Sequence, residues 1–261
     1  MSNTYGPRIV SDGLVLHLDA ANNRSYVSGS NTWYDLSNNG NNGTLTNGPT
    51  YNTGSKGSIV FDGINDTISG GTLPSITGNN SRSVCCWVKT SANKSFQIFD
   101  CATVGTYNSS HQVGLSYNGV IGSSPPYNSG SFYLTFYGND LMYPINYTNI
   151  FDGKWHYYSY SYSPTGRKVY VCCDGQFGGT AYFWTNSNTW TTQTGGQPFA
   201  LTADLNTIDQ PYYLGYGRIG IWQGGGFYSQ GNLSYFSVYN RALSQSELLQ
   251  NYNATKGRYG L

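Results

Sequence analysis

Short runs in which apolar and polar residues alternate recur along the chain, each broken off by Gly, Asn, Asp or Pro. Alternation with a period of two marks a strand with one buried face, and the breakers supply tight turns. The runs fall at 14–18, 58–62, 83–89, 96–100, 112–117, 132–137, 155–162, 168–173, 212–214 and 233–239. Ser163-Pro164-Thr165-Gly166 is turn chemistry between two of them, so 155–162 and 168–173 are predicted to form a hairpin. Asp174-Gly175 closes its second strand. Many short strands with turn signals between them are the signature of an all-β sandwich or barrel, and they suffice for a two-sheet antiparallel β-sandwich.

The period changes once, near the end. Ser244-Gln245-Ser246-Glu247 forms a capping box, in which the Ser oxygen and the Glu carboxylate satisfy free amides at a helix start. Leu248, Leu249 and Tyr252 follow as an apolar face and Gly257 as a stop, which predicts a short C-terminal helix over 245–255. The stretch 22–57 is rich in Asn, Gly, Ser and Thr, yet its Trp33-Tyr34-Asp35-Leu36 centre predicts an ordered long loop. With no internal repeat and no linker, residues 1–261 read as a single domain.

Composition narrows the function classes. The 261 residues include 25 Tyr and 34 Gly, only 10% are charged, and the net charge is +1. That balance gives no electrostatic footprint for a phosphate backbone, which argues against nucleic acid. No apolar run approaches the roughly 18 residues of a membrane span. The N-terminus lacks a basic start followed by an apolar segment, so no secretory signal is read. Four of the 5 Cys are adjacent pairs, Cys85-Cys86 and Cys172-Cys173, within strand runs. Neighbours in a strand point to opposite faces, so each pair places one sulfur in the core and one outside. Packed, reduced thiols are expected, with a cross-sheet disulfide as the alternative.

Several segments, in order, resemble the laminin G-like domain of the concanavalin A-like lectin/glucanase superfamily, in the version found in phage and large-virus structural proteins and bacterial surface proteins. Gly13 to Ala20 resembles its first strand; Trp33 to Ser37 with Asn41 to Leu45 resembles the following loop; and Ser58 to Asp66 looks like its next signature. Val84 to Lys89, ending in Trp-Val-Lys, Asp152-Gly153-Lys154-Trp155-His156, and Val238 to Ser244 leading into Glu247 complete the match. The resemblance implies the sandwich fold and a place on a virion or cell surface, among other structural subunits, as a homo-oligomer or within a larger assembly. It does not fix an activity, because one fold hosts lectins, hydrolases and inert structural domains.

The residues themselves point away from catalysis. Glycoside hydrolysis needs a pair of carboxylates flanking the bond, and Glu247, inside the capping box, is the only glutamate. The two-glutamate strand motif of the superfamily's glucanases is missing, so a hydrolase would have to use an Asp pair. His17, His111 and His156 lie in no nucleophile motif, and His156 reads as a strand residue beside Trp155.

Glycan binding is the sharper expectation, since sugar rings stack apolar faces on aromatics while amides and carboxylates bond the hydroxyls. Trp184 and Trp190 lie in Tyr182 to Trp190, an aromatic and amide-rich segment that reads as a long loop, and they lead the candidates. Tyr127 and Trp222 are further loop aromatics. The alternative is that these rings contact a neighbouring subunit, which would make the chain a structural decoration without a ligand. Alternation puts Trp87 on the face opposite Val84, Cys86 and Val88; it and Trp155 are read as packing residues. The resemblance also implies Ca2+ at a loop rim, where Asp62, Asn65 and Asp66 are the candidate ligands, with Asp35 ranked lower. An Asx-type turn is the competing reading of that trio.

Overall fold

The structure, a computed structural model, describes residues 7–92, 94–101, 111–116, 130–136, 138–145, 150–185, 189–217 and 227–261. Two large antiparallel sheets stack into the expected sandwich, and a helix, Gln245–Thr255, lies outside them. Among the described residues one sheet has eight strands and the other ten.

The spine of the eight-stranded sheet is Gln230–Tyr239. On one side it pairs with Arg82–Lys89; on the other its start pairs with Ser58–Asp62 and its end with Leu14–Asp19. Arg82–Lys89 pairs onward with Trp155–Ser163, which forms the predicted hairpin with Lys168–Cys173. In the ten-stranded sheet Trp190–Thr194 lies at one edge, then Thr180–Thr185, Asn139–Pro144, Ser131–Thr135, Gln112–Ser116 and Phe96–Asp100; three short strands lead on to the far edge, Thr32–Trp33.

The core between the sheets is what the alternation requires. Val84, Cys86, Tyr158, Tyr160 and Phe236 from one sheet meet Phe99, Phe132 and Leu134 from the other. Phe132 stacks on Tyr158 with centroids 5.5 Å apart, and Phe99 stacks on Phe236 at the same separation. The stretch 22–57, read as a long loop, is ordered as expected but supplies three short strands, Thr32–Trp33, Gly43–Thr46 and Thr50–Asn52, because Trp33 is fully buried and Leu45 also packs into the core. Asp35 is spent within this stretch, accepting hydrogen bonds from the backbone N–H groups of His17, Ser37 and Asn41.

The outer face of the eight-stranded sheet is also apolar. Cys85, Trp87, Tyr157, Cys172, Tyr235 and Tyr239 form a second cluster, closed by Leu243 and Leu248. The capping box forms as read, and Arg241 grips the Glu247 carboxylate, holding it down at about 2. Trp87 is the anchor beneath the helix: its indole N–H donates to Thr255 Oγ1 at 2.7 Å, and Tyr259 stacks on it at 4.1 Å. The five cysteines are free and buried, one of each adjacent pair in each cluster. Burial pushes the Cys85 thiol up to about 11 and Cys172 to about 12, so both keep their protons.

A second expectation is corrected. The segment 182–190, read as a loop, supplies most of a hairpin, Thr180–Thr185 paired with Trp190–Thr194. Thr, Tyr, Phe and Trp are strand formers, and Ala181 and Phe183 are buried while Tyr182 and Trp184 are half-buried, a period-two pattern obscured by the density of aromatics.

Replacing Trp87 by Ala removes the indole from between sheet and helix and leaves a cavity there. The expected cost is about 3–5 kcal/mol of unfolding free energy, read from urea denaturation at neutral pH.

Candidate functional site

The register of the edge hairpin brings together the two residues that led the sequence candidates. Trp184 lies directly opposite Trp190 on one side and directly opposite Asp140 on the other. Trp190–Thr194 is the edge strand, and the Gln193 amide pins it by bonding both the N–H and the C=O of Ala200, at 2.9 and 2.6 Å. Ala200 belongs to the eight-stranded sheet, so this amide ties the two sheets together beside the tryptophans.

From Trp184 a row of polar side chains crosses the outward face of the ten-stranded sheet. Register carries it from Asp140 through Met142 to Tyr133, then past Gly114 to Gln97, with Gln112 and Asp100 beside it. Tyr133 donates its hydroxyl to Gln97 Oε1 at 2.7 Å, and Gln112 Nε2 donates to Asp100 Oδ2 at 2.7 Å. Gln97 Nε2 donates to the carbonyls of Phe99 and Val113. Gly114 is required here: a Cβ would meet the Tyr133 hydroxyl at 2.5 Å and the Phe96 carbonyl at 2.7 Å, so only glycine lets the phenol lie across the strand. Burial raises the Tyr133 phenol far above its ordinary range, so it remains a neutral donor. The row is buried and bonded within itself, and at its end Asp140 stands opposite the half-buried Trp184.

The remaining candidates fall elsewhere. Tyr127 and Trp222 lie outside the described residues. Asp62 Oδ1 accepts from the N–H groups of Ile64 and Asn65, and Asp66 Oδ2 accepts from the Asp62 N–H, which is the bonding of an Asx-type turn. Asp66 Oδ1 is buried without a hydrogen bond, and burial raises its carboxyl above the usual range. Two carboxylates and one amide, with two of their oxygens already bonded within the turn, fall short of the six to eight oxygens calcium takes, so these three side chains by themselves do not make a calcium cage.

Sequence reading missed a third feature. His156 is clamped between two carboxylates, Nδ1 2.7 Å from Asp174 Oδ2 and Nε2 3.2 Å from Asp152 Oδ1, and the protonated ring donates to both. Burial pulls the imidazole down, but its bonds to Asp174 and Asp152 outweigh that and raise it above its ordinary value. The signal was available: the hairpin register sets Tyr158 opposite Cys173, which carries Asp174 alongside Tyr157, and Asp152 stands four residues before His156.

His156 and His111 act on stability in opposite senses. His111, fully buried against Tyr160, is held well below 6.5, first by burial and then by the Arg82 charge, so its contribution is lost as pH falls below 6.5. His156 is raised, so its contribution is full below 6.5 and drains as pH rises through its folded value. His156→Asn is therefore expected to cost about 1–3 kcal/mol in mildly acidic solution and less in alkaline solution, measured by urea denaturation across pH.

No protein-family model matches the sequence, and no curated protein matches it. Solved structures do resemble it in fold. Domain 4 of an extracellular arabinanase from Geobacillus stearothermophilus, in complex with arabinotriose, aligns with a TM-score of 0.57 at 16% identity, over 92% of this chain and 98% of that one. Trypanosoma rangeli sialidase in complex with sialic acid aligns at 0.58 and 14% identity, over 98% of this chain and 36% of that one. The botulinum neurotoxin serotype D binding domain aligns at 0.57 and 12% identity, over 93% of this chain and 51% of that one. The chain thus spans about a third of the sialidase and half of the toxin domain. At these identities the likeness is one of fold, and the fold is a two-sheet β-sandwich.

Proposed function

We propose that this chain is a non-enzymatic glycan-binding domain of a virion or cell-surface structural protein, with its sugar site at the edge hairpin of the ten-stranded sheet. The observation that carries the reading is the placement of half-buried Trp184, opposite Trp190 across the hairpin and opposite Asp140 at the head of a hydrogen-bonding row. A sugar stacked at the edge would set its hydroxyls toward acidic and amide groups. Tyr127 and Trp222 belong to the same proposal as further aromatic contacts. The arabinotriose and sialic acid complexes of two fold neighbours, and the binding domain that is the third, support a glycan or glycan-bearing receptor as partner. Against catalysis stands the sole glutamate, which the Ser244 cap and Arg241 occupy. The virion setting and association with other subunits rest on the sequence resemblance.

A glycan array probed with the purified chain, with Ca2+ and again with chelator, tests the reading. Selective signals are expected under both conditions, because Asp62 and Asp66 are committed to their own turn. Trp184→Ala with Trp190→Ala is expected to weaken the retained glycan at least tenfold, about 1.4 kcal/mol, with an unchanged circular dichroism spectrum. An empty array would favour the alternative of a structural decoration domain.

A further inference from the structure

A cavity of about 430 Å³ opens where the eight-stranded sheet meets the C-terminal helix, lined by Asp152, Trp155, His156, Asp174, Tyr252 and Tyr259 among others. Its size lies within the range of small-molecule sites. The polar wall is rigid. Asp174 and Tyr157 are doubly joined, the Asp174 N–H to the Tyr157 carbonyl at 2.9 Å and the Tyr157 N–H to Asp174 Oδ1 at 2.7 Å. Asp174 holds φ at +49°, a left-handed conformation that costs energy outside glycine and is found where the surroundings over-determine it. The next residue, Gly175, lies so close to Tyr252 that a Cβ would meet the ring at 2.7 Å, so the turn and the aromatic wall are pressed together.

Charge decides what such a cavity can hold. Both ring nitrogens of His156 face carboxylates, Asp174 and Asp152, and Lys154 lies 3.5 Å from Asp152. The three rings already carry cations: Lys89 over Trp155 at 5.5 Å, Lys256 over Tyr252 at 5.1 Å, and Arg258 over Tyr259 at 5.9 Å. A cationic ligand would meet these like charges, and an anion would face two carboxylates. An apolar ligand would strip water from those carboxylates without replacing its hydrogen bonds. The two Asp174 oxygens each accept one of the bonds above, whereas a carboxylate can accept about four. The wall therefore offers lone pairs and aromatic surface with its charge internally paired.

We infer that this cavity is a saccharide subsite distinct from the edge hairpin: it takes a neutral sugar ring, its apolar face toward the part-exposed Tyr252 and Tyr259 rings beside Trp155, with hydroxyls donating to Asp174 and Asp152. It stands independently of the hairpin site, since the two lie on different sheets and share no residue.

The test follows the indole N–H resonance of Trp155 in 15N-labelled protein, assigned with Trp155→Phe. The probes are the methyl glycosides of glucose, galactose, mannose and arabinose, with choline and inorganic phosphate as cationic and anionic controls, all at millimolar concentration. At least one glycoside is expected to shift this resonance saturably, choline and phosphate to leave it unmoved, and Asp174→Asn to weaken the response at least tenfold. The response is expected to persist in the Trp184→Ala, Trp190→Ala double variant, so failure of the hairpin site leaves this result readable. If Asp174→Asn does not fold, Asp152→Asn replaces it, its carboxylate lying in a turn and 22% exposed. A silent resonance with all four glycosides overturns the inference, as does a shift with choline or phosphate alone, or a glycoside response that the folded Asp variant leaves unchanged.

Discussion

The structure depends on a sheet that is apolar on both faces and so has to be covered twice. In Arg82–Lys89 every residue but the last is buried, and its partners Trp155–Ser163 and Gln230–Tyr239 are nearly as dry. One cover is the ten-stranded sheet. The other is the helix with the tail behind it, fastened at Trp87 by the bond to Thr255 and the stack with Tyr259. Large aromatic faces buried from water supply the driving force, and the indole N–H satisfied by a threonine removes the cost of burying it.

That double cover organises the chemistry. Because the helix and tail close one face, their tyrosines become walls against the end of the hairpin, where Asp152, His156 and Asp174 meet. Because the eight-stranded sheet takes one face of its ten-stranded partner, the other face of that partner is free to be polar. Its Asp140, Tyr133, Gln97, Gln112 and Asp100 are buried yet hydrogen-bonded, a row that contributes specificity rather than apolar burial.

Buried ionisable groups inside the sandwich show the same economy. Arg82 is fully buried, and its guanidinium donates to the carbonyls of Gly78 and Asn80 and to Thr207, lashing two loops to the end of its strand. His111 sits beside Tyr160 in the core, and burial keeps it neutral. Each is a buried polar residue at the head of a strand, and each binds elements distant in sequence.

What the sequence by itself determined is what depends on neighbours along the chain. Strand alternation, the Ser163–Gly166 turn with its hairpin, and the capping box with its helix are set by contacts a few residues long, and all were legible. So was the assignment of Trp87 to the face away from the main core, which follows from alternation alone. Only the tertiary structure decided what lies on that face, because Thr255 and Tyr259 arrive there from the far end of the chain. The same holds for Trp184, whose opposition to Asp140 is a matter of register between non-consecutive strands, and for the hairpin itself, whose alternation was masked by uniformly aromatic residues. Asp152, His156 and Asp174 fall between the two cases: the turn fixes the register that joins them, but their chemistry emerges only once the helix and tail close a cavity around them. A short-range pattern records which way a side chain faces; what it faces is set by long-range packing, which no local pattern contains.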